Sequence, residues 1–137
     1  MSFHEGCLKR NDLLYPELCY RINGVIFETF KTLGPNQREK YYQFFIARKL
    51  KDLNIRCILE KPLFLSIYDK TIRLYADLIV EDKIVIEIKR GSYSKKVYFE
   101  QLKKYLFVSK YQLGILAMFG DRRAKIYRVL NIINKNY

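Results

Sequence analysis

The spacing of apolar residues changes twice along this chain, and the changes divide it into helices and strands. From Pro16 onward Leu18, Ile22, Val25, Ile26, Thr29 and Phe30 recur at helical intervals, with the proline suited to a first turn. Gly34-Pro35 ends that helix. A second helix is expected from Asn36, a good N-cap, with Glu39 at the third position of a capping box. Its apolar stripe is Tyr42, Phe45, Ile46, Leu50 and Leu53. After Asn54 the period drops to two: Ile55, Cys57 and Leu59 alternate with Arg56 and Ile58. Pro62 interrupts before a strand at 63–68, Asp69-Lys70 forms a turn, and strands follow at 71–80 and 84–89. A loop with cap candidates at 91–94 leads into a third helix over about 96–109, bearing Phe99, Leu102 and Leu106 beside Tyr98 and Tyr105. Residues 113–119 are a fully apolar strand, Gly120-Asp121 a turn, and 124–130 a last strand.

This order predicts an α/β domain with a mixed sheet flanked by helices, since a run apolar on both faces needs cover on both sides. The 137 residues, half of them apolar, suit one domain: 1–11 loose and a core over about 16–130. No internal repeat or low-complexity tract is present.

Charges inside the apolar strands carry the chemistry. Glu87 and Lys89 share one face of their strand, while Ile84, Ile86 and Ile88 occupy the other. With Glu81-Asp82-Lys83 as the loop, Val80 lies opposite Ile84, Asp77 opposite Glu87 and Tyr75 opposite Lys89. A one-residue slip would oppose Asp77 to an isoleucine and contradict the apolar phase of both strands. Two close carboxylates repel, and a divalent cation relieves the repulsion. Oxygen ligands without histidine or cysteine favour Mg²⁺, with Mn²⁺ able to substitute. The Ile88 carbonyl is a candidate third ligand. Lys89 is then placed to help deprotonate a water or stabilise a developing phosphorane charge. The competing explanation is an acid–lysine pair on a solvated face.

Three further residues share faces with this chemistry, each with a plainer alternative. Glu39 lies in line with Tyr42, Ile46 and Leu50, so it either looks toward the sheet to hold a metal water or only caps its helix. Gln101 and Tyr105 are one helical turn apart. They either orient a phosphate and the attacking water or form an ordinary polar–aromatic pair on an amphipathic helix.

Composition narrows the partner. A net charge of +12 favours a polyanion, nucleic acid above all. Arg90, Lys95, Lys96, Lys103, Lys104, Arg122 and Arg123 are candidate phosphate contacts, with Tyr93 and Tyr98 interleaved. Three widely spaced cysteines and a single histidine, His4, argue against a zinc site, an iron–sulfur cluster or a disulfide framework. Cys19 and Cys57 read as small core residues. No signal-peptide core or membrane-length apolar run is present, so a reducing cytoplasm is the expected compartment and no membrane partner is expected.

Asp77 followed by Glu87-x-Lys89 resembles the core of the PD-(D/E)XK nuclease superfamily, with Ala76 in place of the proline. The segment Leu33 to Tyr42 is similar to the signature of its GxxExxY family, Asn36 replacing the first glycine while Glu39 and Tyr42 match. Gln101 and Tyr105 resemble the Q-x-x-x-Y motif of RecB-like nucleases. The likeness runs from about Leu18 to Leu130. It implies a restriction-endonuclease-like fold and a Mg²⁺-dependent phosphodiesterase site built from Glu39, Asp77, Glu87, Lys89 and Gln101. The leading expectation is a DNA nuclease. The alternatives are a non-cleaving nucleic-acid-binding or complex-forming subunit of the same fold, and a dimeric Holliday-junction resolvase.

Overall fold

The computed structural model describes residues 14–91 and 95–131; His4, Cys7, the expected loose stretch 1–11 and the cap candidates at 92–94, Tyr93 among them, lie outside the described residues. The chain runs α1 (Pro16–Leu33), α2 (Glu39–Asp52), β1 (Cys57–Ile67), β2 (Lys70–Val80), β3 (Ile84–Arg90), α3 (Lys95–Val108), β4 (Leu113–Phe119) and β5 (Ala124–Leu130). The strands form one mixed sheet in the order β1-β2-β3-β4-β5. β3 and β4 are parallel, and the other neighbours are antiparallel. The parallel step needs a crossover, and α3 supplies it.

The sheet separates two apolar layers. On one side Ile22, Ile26, Ile46 and Leu50 of α1 and α2 pack against Leu78, Val80, Ile84, Ile86 and Ile88. On the other, Leu102, Tyr105 and Leu106 of α3 pack against Ile79, Val85, Leu116 and Val129. β4 is buried at every position, as a strand covered on both faces should be. This is the predicted helix-flanked mixed sheet. Cys19 is buried in the first layer and Cys57 packs partly against it, both as free thiols. No helix among the described residues is long and apolar enough to cross a membrane.

Local corrections cluster around turns. α2 starts at Glu39 rather than Asn36, which instead adopts a left-handed backbone with φ 64°. The Tyr42 hydroxyl folds back over this turn, donating to the Gly34 carbonyl at 2.7 Å and accepting from the Gln37 N–H at 3.2 Å. Arg38 occupies the N-cap with no side-chain cap bond, so the expected capping box does not form. Pro62 does not interrupt β1; it pairs opposite Tyr75 within one long strand. β1 is an edge strand, where a missing N–H is tolerated. The hairpin turn is Tyr68-Asp69, one residue earlier than expected.

One irregularity positions the site. Leu78 and Val80 face the α1–α2 layer, whereas Leu74 and Ala76 face the α3 layer. Strict alternation would put all four on one face. The phase breaks at Asp77, opposite Glu60, whose φ is 53°. The β1–β2 register continues on either side, with Leu59 opposite Leu78 and Lys61 opposite Ala76. Beyond the break, 61–76 is a two-stranded arm whose backbone pairs only with itself, because β2 pairs with β3 just from Leu78 to Val80.

Candidate active site

Asp77 stands at the break. The register of Leu78 with Ile86 extrapolates to Asp77 opposite Glu87, as the pattern predicts, but the ladder stops one pair short. The expected pairing of Tyr75 with Lys89 is absent because the arm has turned away. β3 meanwhile stays with β4 as far as Arg90 opposite Phe119. The N–H groups of β3 that point toward β2 therefore lose their backbone partners after Ile86.

Two carboxylates take those groups. The Ile88 N–H donates to Asp77 Oδ2 at 2.7 Å, and the Arg90 N–H donates to Glu39 Oε2 at 2.9 Å. Glu39 thus serves the strand rather than its own helix. Gln43, four residues further along α2 and buried, donates from Nε2 to the Asp77 carbonyl at 2.8 Å. Asp77 is held at its carboxylate by β3 and at its carbonyl by α2. A strand residue presents N–H and C=O on the same side, so the Ile88 carbonyl opens into the same gap.

Glu87 and Lys89 project toward α3. Lys89 Nζ lies 3.6 Å from Glu87 Oε2, the two side chains being 21% and 14% exposed. The ammonium also sits over the Tyr98 ring, 5.1 Å from its centroid. Burial, and then the charge of Asp77, push the Glu87 carboxyl from 4.5 up to about 8, and Lys89 offsets this only in part. Burial raises Asp77 as well, helped by Glu39 and Glu60 and opposed by the Ile88 N–H and Lys89. The charge of Asp77 thus opposes ionisation of Glu87 in a gap that burial has already made unfavourable for charge.

Across the gap α3 contributes Gln101, exposed, and Tyr105, whose buried hydroxyl donates to the Lys61 carbonyl at 3.5 Å. Glu87, Gln101 and Tyr105 line one cleft of about 310 Å³, together with Lys104 and with Arg73 and Tyr75 from the arm. The basic residues are distributed rather than gathered. Lys104 borders this cleft, whereas Lys95 packs on Tyr127 at 4.7 Å and shares a smaller groove with Arg123. Lys96 and Lys103 line a groove between α3 and β5, with Lys103 also 3.7 Å from Glu100. Arg90 and Arg122 are exposed.

Glu60 and Gln43 escape the sequence reading. Gln43 carries a signal, being one turn from Glu39 on the same helix face. Glu60 carries one only after the hairpin register sets it opposite Asp77.

Among the described residues, no three His, Cys, Asp or Glu side chains gather as a metal cage. A cation here would be held by the Asp77 and Glu87 carboxylates, the Ile88 carbonyl and water. Mg²⁺, which binds through one or two carboxylates and keeps several waters, suits such a set. Two half-buried acids and a backbone carbonyl around one gap, all of them oxygen donors, are the observation that fits a cation.

Comparison with known proteins bears on the family. The family model described as the PD-(D/E)XK nuclease superfamily matches residues 16–129, from the start of α1 into β5. No curated protein matches the chain. The crystal structure of SSO0001 is similar in fold, with a TM-score of 0.53 at 22% identity, covering 70% of this chain and 51% of that one. This chain therefore spans about half the length of that structure. Since the family model accounts for both layers and all five strands, the chain belongs to the PD-(D/E)XK nuclease superfamily, a group made up generally of nucleases.

Proposed function

We propose that this chain hydrolyses DNA phosphodiester bonds in a Mg²⁺-dependent reaction at the open end of the β2–β3 ladder, with Mn²⁺ able to substitute. The observation that carries the reading is the half-buried Asp77–Glu87 pair, two acids at one gap with Lys89 beside them and a cleft in front. Asp77, Glu87 and the Ile88 carbonyl would hold the ion, with Glu39 placed to hold one of its waters. When bound, the ion neutralises the pair and acts as a Lewis acid toward water and the scissile phosphate. Lys89 supplies positive charge where the phosphate oxygens gain negative charge and assists deprotonation of the attacking water. Gln101 orients the phosphate or that water from α3, and Tyr105 supports the same wall. Arg90, Lys95, Lys96, Lys103, Lys104, Arg122 and Arg123 contact the backbone of the substrate in a salt-sensitive way. Within the superfamily, the Glu39 and Tyr42 pattern supports the GxxExxY group.

The test is cleavage of linear, nicked, branched and single-stranded DNA with Mg²⁺ or Mn²⁺. EDTA abolishes cleavage, and Asp77→Asn and Glu87→Gln each lower it by at least about a thousandfold with circular dichroism unchanged. Full activity in both variants would refute the assignment. A second reading draws on the net charge of +12, which serves binding without any chemistry: a subunit that binds nucleic acid and cleaves nothing. Binding without cleavage across the whole panel supports that reading.

A further inference from the structure

The arm beyond the Glu60–Asp77 break packs Leu63, Leu74 and Ala76 against the α3 layer. It nevertheless carries Phe64 and Tyr75 at 60% and 50% exposure. Its β2 edge runs along the cleft that contains Glu87. There the Arg73 guanidinium stacks over the Tyr75 ring, 5.1 Å from the centroid. Lys104 lines the same cleft from α3. Among the described residues neither Arg73 nor Lys104 pairs with a carboxylate. Two uncompensated cations and an exposed ring thus border one cleft that ends at an acid of the candidate site.

Cations that track a backbone, together with an aromatic ring open to stacking, are what binds an unpaired strand. The cleft, about 310 Å³, lies at the low end of the roughly 300–1,000 Å³ that small-ligand pockets occupy. That is room for a group of about one nucleotide's size beside the exposed ring. We infer that the arm and α3 grip a single-stranded DNA segment: Arg73 and Lys104 contact successive phosphates, and a base stacks on Tyr75 one step from the carboxylates. The inference rests on the nuclease reading of the site and deepens it, making an unpaired strand the preferred substrate.

Fluorescence anisotropy of the full chain in EDTA, with a labelled oligonucleotide either single-stranded or annealed to its complement, tests the grip without cleavage. Tyr75→Ala weakens single-strand binding by about 5- to 150-fold, the range for loss of one base–aromatic stack, and Tyr75→Phe restores it. Arg73→Ala lowers the slope of log affinity against log salt by about 0.7, one phosphate contact on a single strand. Duplex binding stays as in the wild type in all three. Both truncated side chains are exposed, so melting temperatures stay unchanged and loss of fold is not a confounding outcome. Wild-type single-strand affinity in Tyr75→Ala and Arg73→Ala, or equal losses on duplex and single strand, overturns the grip. If the wild type cleaves and these variants still bind normally, the grip alone falls. If the wild type cleaves nothing but the variants lose single-strand affinity selectively, the nuclease reading falls and the grip stands.

Discussion

Glu87→Gln removes a titrating group from the desolvated gap while keeping its shape, and the cost of holding that group becomes measurable. The carboxyl moves from 4.5 to about 8 on folding. At about 1.4 kcal/mol per pH unit, that gap sets a ceiling of about 5 kcal/mol. The attraction of Lys89, 3.6 Å away, is already included in it. Because folding raises this pKa, the group's contribution to stability is complete below about pH 4.5 and is lost as pH rises through about 8. The variant has no such group to lose. In EDTA the two proteins should melt at similar temperatures near pH 4.5, and the variant should melt progressively higher as pH rises. At about 3 °C per kcal/mol for a chain of this size, the separation above pH 8 is on the order of 10 °C. Thermal melts followed by circular dichroism from about pH 4.5 to 9 read the difference, in which titrating groups away from the Asp77–Glu87 gap cancel. Millimolar Mg²⁺ then narrows the separation at high pH, because a ligand that binds the folded wild type better than the variant raises its stability more. A constant separation across the range would show that Glu87 is solvated, and the site argument would fail with it.

Three smaller perturbations probe the scaffold. Glu39→Ala exposes the Arg90 N–H, so amide exchange at Arg90 quickens while global stability falls by less than about 1 kcal/mol, the bond being at the surface. Gly114→Ala would put a Cβ 3.0 Å from the Leu102 side chain, and denaturant unfolding should show a loss of about 1–3 kcal/mol from overpacking between β4 and α3. Tyr111 donates to Asp82 at 2.7 Å and accepts from Lys61 at 3.0 Å, and burial together with Asp82 pushes its phenol up to about 12. Tyr111→Phe should cost about 1–2 kcal/mol and remove a late-ionising phenol from an ultraviolet titration.

The helices and strands that answer to a single periodicity were legible in the chain itself. β4 and β5 fall at 113–119 and 124–130 as their apolar runs require, and α1 is bounded by Pro16 and Gly34. The pairing of Val80 with Ile84 was equally legible, because any slip would bury charge. What stayed hidden depends on contacts between distant segments. α2 starts late because Tyr42 closes the preceding turn through Gly34 and Gln37, a contact invisible to a capping pattern. The ladder opens after Leu78 because Gln43 and Glu39, from another layer, compete for groups that a hairpin would satisfy alone. Asp77 and Glu87 were therefore found as a pair, but the reason they remain a pair lies in α2.

The phase break at Glu60 and Asp77 also separates two kinds of change. Everything on its sheet side is locked by β3 and by both helical layers, so alterations there disturb the carboxylates. Everything on its far side is a ribbon tied mainly to itself. Residues added to or removed from both strands together, near Tyr68-Asp69, would lengthen or shorten the ribbon and leave Asp77 where it is. The length of the ribbon and the placement of the carboxylates are thereby independent, two properties joined at one kink.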